Sequence, residues 1–330
     1  MLFFIVCACF ALFPEQVLYG AQNGLALCIN AVIPSLLPFM LVSTCVIKGG
    51  FSRPLGAIFS KVLSPLTNMS TAGCVCFVTG LFGGYGAGAR AVYESYKEKQ
   101  ISKEEAERIL PFCNNAGPLF IIGTVGISFF MSKSIGVLLF LMQVVTALIC
   151  ARVLSSEGER ERLRVKDEWD YYKKNKPSLG ELITSSAIES GGAIISACVF
   201  VITFSAILEI LPFGEYSILS GILEVTRGCS ELSRTGTKAL PLISALLSWG
   251  GMSVHFQASA LTKGEFDMKT YYFGKVLASV IAYLITKAVC ADTYMFSYLA
   301  IGILLIITTF KFLFSPKGTR RRVFRQRQRS

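Results

Sequence analysis

Phe112-Cys113-Asn114-Asn115-Ala116-Gly117-Pro118-Leu119-Phe120 sets two adjacent amides and a Gly-Pro break inside the apolar run Leu110–Met131. In lipid such a stretch is tolerated only where it faces protein or a water-filled cavity, because unsatisfied polar groups are costly there. Pro118 has no amide hydrogen and so frees a carbonyl, while Asn114 and Asn115 can both donate and accept. The break reads either as a substrate or ion site or as a structural kink.

The composition around it fits a membrane chain. Of 330 residues, 53% are hydrophobic and only 16% charged, with a mean hydropathy of +0.57. Soluble domains carry about 25% charge. Apolar runs recur from Met1 to Phe314, which excludes a soluble enzyme and a domain on a single anchor. Spans of about 20 residues each are expected at Leu2–Tyr19, Asn23–Ile47, Thr71–Val92, Leu110–Met131, Ile135–Leu154, Ala193–Leu211, Leu240–Leu261, Phe273–Cys290 and Tyr294–Phe314. Leu55–Leu66 and Tyr216–Leu232 are too short or too polar to cross and read as interfacial or re-entrant pieces. The fold class is therefore all-α: a polytopic membrane protein of about 8–9 transmembrane helices plus such pieces. Met1–Tyr19 has no basic residue ahead of its apolar stretch, unlike a secretory signal, and reads as a retained first span with its N-terminus outside.

The net charge of +11 is concentrated. Lys317–Arg329 holds seven basic residues and no acid, and Arg152–Lys176 holds eight against six acids. Basic clusters beside spans mark the cytoplasmic side, and nucleic acid is not the partner they imply. Eleven cysteines lie mostly inside apolar runs, with no Cys-x-x-Cys and with His255 as the single histidine. They read as small packing residues rather than disulfides or zinc ligands. Glu224 and Glu231 read as solvent-facing, and Glu189 as an acid at a helix start.

The order of a long span, a short apolar segment, an aromatic-Gly-Gly element, a polar loop and two further spans occurs twice. Leu81-Phe82-Gly83-Gly84-Tyr85 answers to Ser248-Trp249-Gly250-Gly251-Met252. This gives two weakly similar repeats and five regions: an N-terminal helix (1–20), a first repeat (21–154), a basic cytoplasmic linker (155–178), a second repeat (179–314) and a basic cytoplasmic tail (315–330). Charge placement favours halves of the same orientation, whereas re-entrant Gly-Gly hairpins would permit inverted ones. Gly-interrupted segments at matching places in two halves point to a transport site.

No catalytic constellation appears. Gly83-Gly84-Tyr85-Gly86-Ala87-Gly88 lacks the Lys-Ser/Thr of a phosphate loop and the strand of a dinucleotide site. It reads either as close helix packing or as an unwound segment facing a cavity. Arg90 reads as an interfacial arginine or as the counter-charge of an anionic substrate. Candidate binding residues are Gly83, Gly84, Gly86, Gly88, Arg90, Asn114, Asn115, Gly117, Gly250, Gly251, Ser253, His255 and Gln257. No cofactor or metal is implied. The partners are a small anionic solute and the lipid bilayer; the coupling ion, H+ or Na+, and self-association as a homo-oligomer are left open.

The glycine run with Arg90, the loop Ile101-Ser102-Lys103-Glu104-Glu105-Ala106-Glu107-Arg108-Ile109-Leu110 and the break at 112–120 together resemble the YlbJ-type sporulation integral membrane proteins of the nucleoside-recognition "Gate" group. Ile33-Pro34-Ser35-Leu36-Leu37-Pro38-Phe39 is similar to a helix of the same family. Gly86 stands where the family has proline. The resemblance implies a multi-pass transporter of the mother-cell membrane in endospore formers, moving dipicolinate toward the forespore. It implies kinship with nucleoside carriers, and with it re-entrant hairpins and inverted repeats.

Overall fold

In the computed structural model, residues 2–155, 165–175, 177–211 and 217–291 are described. Among them every regular element is helical. The order is α1 (Leu2–Leu12), α2 (Pro14–Leu27), α3 (Ile33–Lys48), α4 (Ser52–Thr67), α5 (Thr71–Gly83), α6 (Ala87–Lys97), α7 (Lys103–Cys113), a π-helical run (Leu119–Phe129), α8 (Lys133–Val153), α9 (Val165–Asn175), α10 (Leu179–Ile210), α11 (Ser217–Leu223), α12 (Val225–Ser233), α13 (Leu240–Trp249), α14 (Gly251–Leu261) and α15 (Met268–Cys290). One compact unit covers Met1–Lys287, and a second begins at Ala288. The expected span Tyr294–Phe314, the basic tail and residues 156–164 of the linker lie outside the described residues.

Four helical stretches among these residues are long and apolar enough to cross a membrane: Lys133–Val153, Leu179–Ile210, Gly236–Leu261 and Met268–Cys290. A fifth is counted if the pair Arg53–Thr67 and Thr71–Gly83, bent by 100°, is one span. The differences from the expected crossings have local causes. Pro14 begins a new helix, so Leu2–Tyr19 is two helices rather than one. Between α2 and α3 the backbone stays helical through a π turn, Cys28–Val32, which ends just before Pro34. Proline cannot donate to the carbonyl one turn back, and a widened turn absorbs the missing bond.

Thr71–Val92 is not one continuous helix. Gly84 (φ 81°) and Gly86 (φ 84°) adopt the left-handed backbone that glycine alone takes without strain, and they turn the chain back so that α6 packs on α5. Gly80 of α5 and Gly88 of α6 come together over the carbonyl of Cys113. Thr71–Val92 thus forms a hairpin, and α7 breaks beside it. A second hairpin, α11–α12, turns at Glu224, with the backbones of Gly221 and Gly228 in contact. Tyr216–Leu232, read as re-entrant or interfacial, contains it. The stretch Gly236–Leu261 breaks at Gly250 (φ 90°) and Gly251 (φ 77°).

Hydrogen bonds gather several helix ends. Ser70, which caps α5, donates its amide to Glu105 (3.0 Å), and Asn68 donates to Ser155 after α8 (3.4 Å). Tyr93 and Lys97 both donate to Glu265 (3.2 and 2.6 Å), and the Asp267 amide donates to Glu107 (2.9 Å). The loop after α6 and the loop after α14 therefore lie at the same end. Linker helix α9 packs on α4, with Arg53 donating to Glu168 (2.7 Å).

The Lys97 hydrogen bond holds the Glu265 carboxyl below its ordinary value of 4.5. A carboxyl depressed on folding contributes stability above its unfolded value and loses it as pH falls through the folded one. Amide exchange in residues 98–102 and 262–266, corrected for intrinsic rate, should therefore rise as pH drops below 4.5. Lys97→Met should show raised exchange at neutral pH and no such rise; identical profiles would remove the tie.

Candidate functional site

The two hairpin tips and the two breaks meet in the interior. Gly84 lies against the backbone of Gly117, and Tyr85 at the first tip donates its hydroxyl to the Leu247 carbonyl of α13. The Tyr85 ring also touches Gly250, while Gly251 lies against Leu223, Glu224 and Val225 at the second tip. A continuous chain of contacts thus runs from Gly117 through Gly84, Tyr85 and the Gly250-Gly251 break to Glu224.

Asn114 is the hub. It ends α7, is fully buried, accepts the Gly86 amide at Oδ1 (2.8 Å) and donates from Nδ2 to the Tyr271 hydroxyl (3.0 Å). Its backbone carbonyl receives the ammonium of Lys275. Asn115 donates to the Phe112 carbonyl and accepts from Gln143 of α8 (3.1 Å), which in turn accepts from Ser248 (3.1 Å). Both amides therefore face protein, as their cost in lipid requires.

Lys275, on α15, is fully buried, and no carboxylate pairs with it among the described residues. The rings of Tyr271 and Tyr85 stand 5.8 and 5.9 Å from its ammonium. His255 packs among Trp249, Tyr271 and Tyr272 with ring centroids 4.1, 5.2 and 5.3 Å away. Neither ring nitrogen of His255 has a hydrogen-bond partner among the described residues, although only 1% of the residue is exposed.

The other expected residues scatter. Because α14 is a regular helix, Ser253 and His255 are buried while Gln257 is half-buried. Gly83 ends α5, and Gly88 packs against Gly80 and the Cys113 carbonyl. Arg90 sits one helical turn after Gly86, in an ion cluster: Glu189 pairs with both Arg90 and Lys48, and Glu94 accepts from Arg90 (3.0 Å). A narrow cleft of about 40 Å³ runs here beside Gly86, lined also by Met40 and Leu261. Glu189 is not at a helix start. Ser178 caps α10 and accepts the Glu181 amide, so Glu189 sits well inside the helix. Glu224 is not solvent-facing either. It is 1% exposed and caps α12 by accepting the Arg227 amide (2.7 Å). Arg227 itself holds Glu209 and Glu231 beside a cavity of about 970 Å³ lined also by Tyr19, Asn23 and Arg234.

Gln143, Tyr271, Lys275 and Glu224 are the site residues that sequence reading missed. Gln143 was detectable as an amide in the middle of the apolar run Ile135–Leu154. Lys275 was hidden by placing its span's start at Phe273, when α15 begins at Met268 and puts the lysine two turns in.

Hairpins and broken helices packed around a buried polar core, together with four apolar helical stretches of membrane length among the described residues, make this an integral membrane protein. No family model matches the chain. Over 311 residues it is 28% identical to the sporulation integral membrane protein YlbJ of Bacillus subtilis (strain 168), covering 82% of this chain and 76% of that protein. This supports the YlbJ-type assignment made from the motifs. No solved structure matches the chain.

Proposed function

We propose that this protein is a non-enzymatic membrane transporter of a small anionic solute, and that the solute is dipicolinate during spore formation. On this reading it sits in the mother-cell membrane facing the forespore. The observation that carries the proposal is the buried Lys275 ammonium where the broken helices meet, with no carboxylate paired to it among the described residues. The starts of α6 and α14 and of the π-helical run converge on the same core, and helix N-termini favour anionic groups. The sporulation relative and the shared motifs supply the biological setting.

We also infer two inverted halves. Hairpin α5–α6, the broken α7, and α8 correspond in order to hairpin α11–α12, the broken α13–α14, and α15. The first hairpin has its open end beside the 98–102 loop, whereas α11–α12 has its open end beside Glu209 and the larger cavity. Placing the linker and the tail inside puts the first hairpin on the cytoplasmic side.

The test is flux of labelled dipicolinate in proteoliposomes, with uridine as comparison. Dipicolinate should move, and Lys275→Ala should lower its flux by about 100-fold, the equivalent of losing roughly 3 kcal/mol of binding. Arg90→Ala, which removes a partner of Glu189, should lower the flux of both solutes alike. Uridine flux alone would make it a nucleoside-type carrier, in keeping with the amides of Asn114, Asn115 and Gln143. No flux of either from folded protein would make it a scaffold of a sporulation membrane complex.

A further inference from the structure

The Lys275 ammonium has an unusual seat. Its acceptor, the Asn114 carbonyl, belongs to the C-cap of α7, where the chain leaves the helix and no following turn supplies an amide. The end of a helix is also the negative pole of its dipole. In transporters with broken spans, carbonyls at such ends hold the coupling cation. Here a cation fixed to α15 already occupies that place, so a sodium ion would have to displace it.

We propose that Lys275 is a tethered coupling cation: its ammonium fills the cation seat on the end of α7, and the cycle is linked to the lysine's proton rather than to sodium. Where the site opens to water, the ammonium loses one proton to solvent, and the neutral amine releases its charge-assisted hold on the Asn114 carbonyl. A proton from the opposite side restores the ammonium and the hold. Only an N–H bond breaks and re-forms. The titratable groups facing it are Cys113 at the end of α7, Cys150 of α8, His255 of α14, Tyr85 at the first tip, and Tyr271 on α15 itself. Cys113 and Cys150 are fully buried, and neither makes a hydrogen bond through sulfur to Lys275.

The coupling part of this inference rests on the transport reading, whereas the titration of Lys275 does not, so two measurements separate them. In proteoliposomes, replacing sodium by choline should leave dipicolinate flux unchanged. A gradient of one pH unit should sustain about tenfold accumulation, the equivalent of one proton. Lys275→Arg keeps a cation that does not release its proton, and should abolish gradient-driven accumulation. Accumulation that needs sodium, or an arginine variant that still follows the pH gradient, would overturn the proposal.

In detergent, the melting midpoint of the full-length protein should vary with pH in a way that Lys275→Met removes. If the methionine variant does not fold, Lys275→Arg gives the same comparison. Should neither dipicolinate nor uridine move, the transport reading falls and this comparison still decides the lysine. Equal pH dependence in wild type and variants would sink the tethered-cation assignment.

Discussion

Alanine at Gly88 is expected to keep the chain from a stable fold. A Cβ there would lie 1.8 Å from the Cys113 carbonyl oxygen, and one at Gly80 would lie 1.7 Å from the same oxygen. The obstacle is backbone rather than the end of a flexible side chain, so relief means moving α7 away from the hairpin. Overpacking that side chains can absorb costs about 1–3 kcal/mol; here the cost should exceed roughly 3 kcal/mol, a large share of a typical net stability of about 5–15 kcal/mol. Moving Cys113 also moves Asn114 and with it the seat of Lys275. Gly88→Ala and Gly80→Ala should each lose the monodisperse peak in size-exclusion chromatography or melt far below wild type. Gly191→Ala is the control: nothing lies within 4 Å of a Cβ at that position in α10. It should be neutral, or stabilise by up to about 1 kcal/mol through helix propensity. A Gly88→Ala protein that melts like wild type would mean the hairpin does not pack on Cys113 as described.

Apolar run length read the class of the protein correctly and its crossings only partly. Thr71–Val92 is long enough to span, yet two left-handed glycines fold it into a hairpin, and hydropathy does not register a change of direction. Two helices also begin well before the apolar runs that mark them. Helix α10 starts at Leu179 rather than Ala193 and carries Glu189 inside it, and α15 starts at Met268 rather than Phe273 and carries Lys275 two turns in. In the fold these charges are paired or seated: Glu189 meets Lys48 and Arg90, and Lys275 meets the Asn114 carbonyl. Charges that look like boundaries in the sequence are internal contacts, and internal contacts are what build a site.

The amide-Gly-Pro break was legible because its cost in lipid demands a partner, and Asn114 and Asn115 do sit at the centre of the polar network. The partners were not legible, since Tyr271 and Lys275 lie more than 150 residues away on another helix. The matching aromatic-Gly-Gly strings fall on different kinds of element. Gly83-Gly84 begins a hairpin tip, whereas Gly250-Gly251 breaks a span. Short strings of glycine are used wherever backbones approach closely, so their spacing reports packing rather than equivalence. Element order, hairpin then broken helix then long helix, is the more informative comparison, and it underlies the inference of inverted halves.

Leucine at Asn114 should uncouple the core without removing the lysine's acceptor. The carbonyl that seats Lys275 is backbone and survives the substitution, but the Gly86 amide and the Tyr271 hydroxyl both lose the Asn114 side chain. The buried Tyr271 hydroxyl left unpaired costs about 1–3 kcal/mol, and the half-buried Gly86 amide less. The expected result is a clear drop in melting temperature together with loss of dipicolinate flux by about 100-fold, since roughly 3 kcal/mol of misplacement at the site corresponds to that factor. Adding Tyr271→Phe to Asn114→Leu removes one of the two orphaned groups. Stability should then recover by about 1 kcal/mol or more, because a buried hydroxyl without a partner is worse than none. Flux should not recover, because the first tip is still untied from the end of α7 and the ring at position 271 has lost its hydroxyl. If flux returned along with stability, Asn114 would act only through packing, and the polar core would owe its function to other residues.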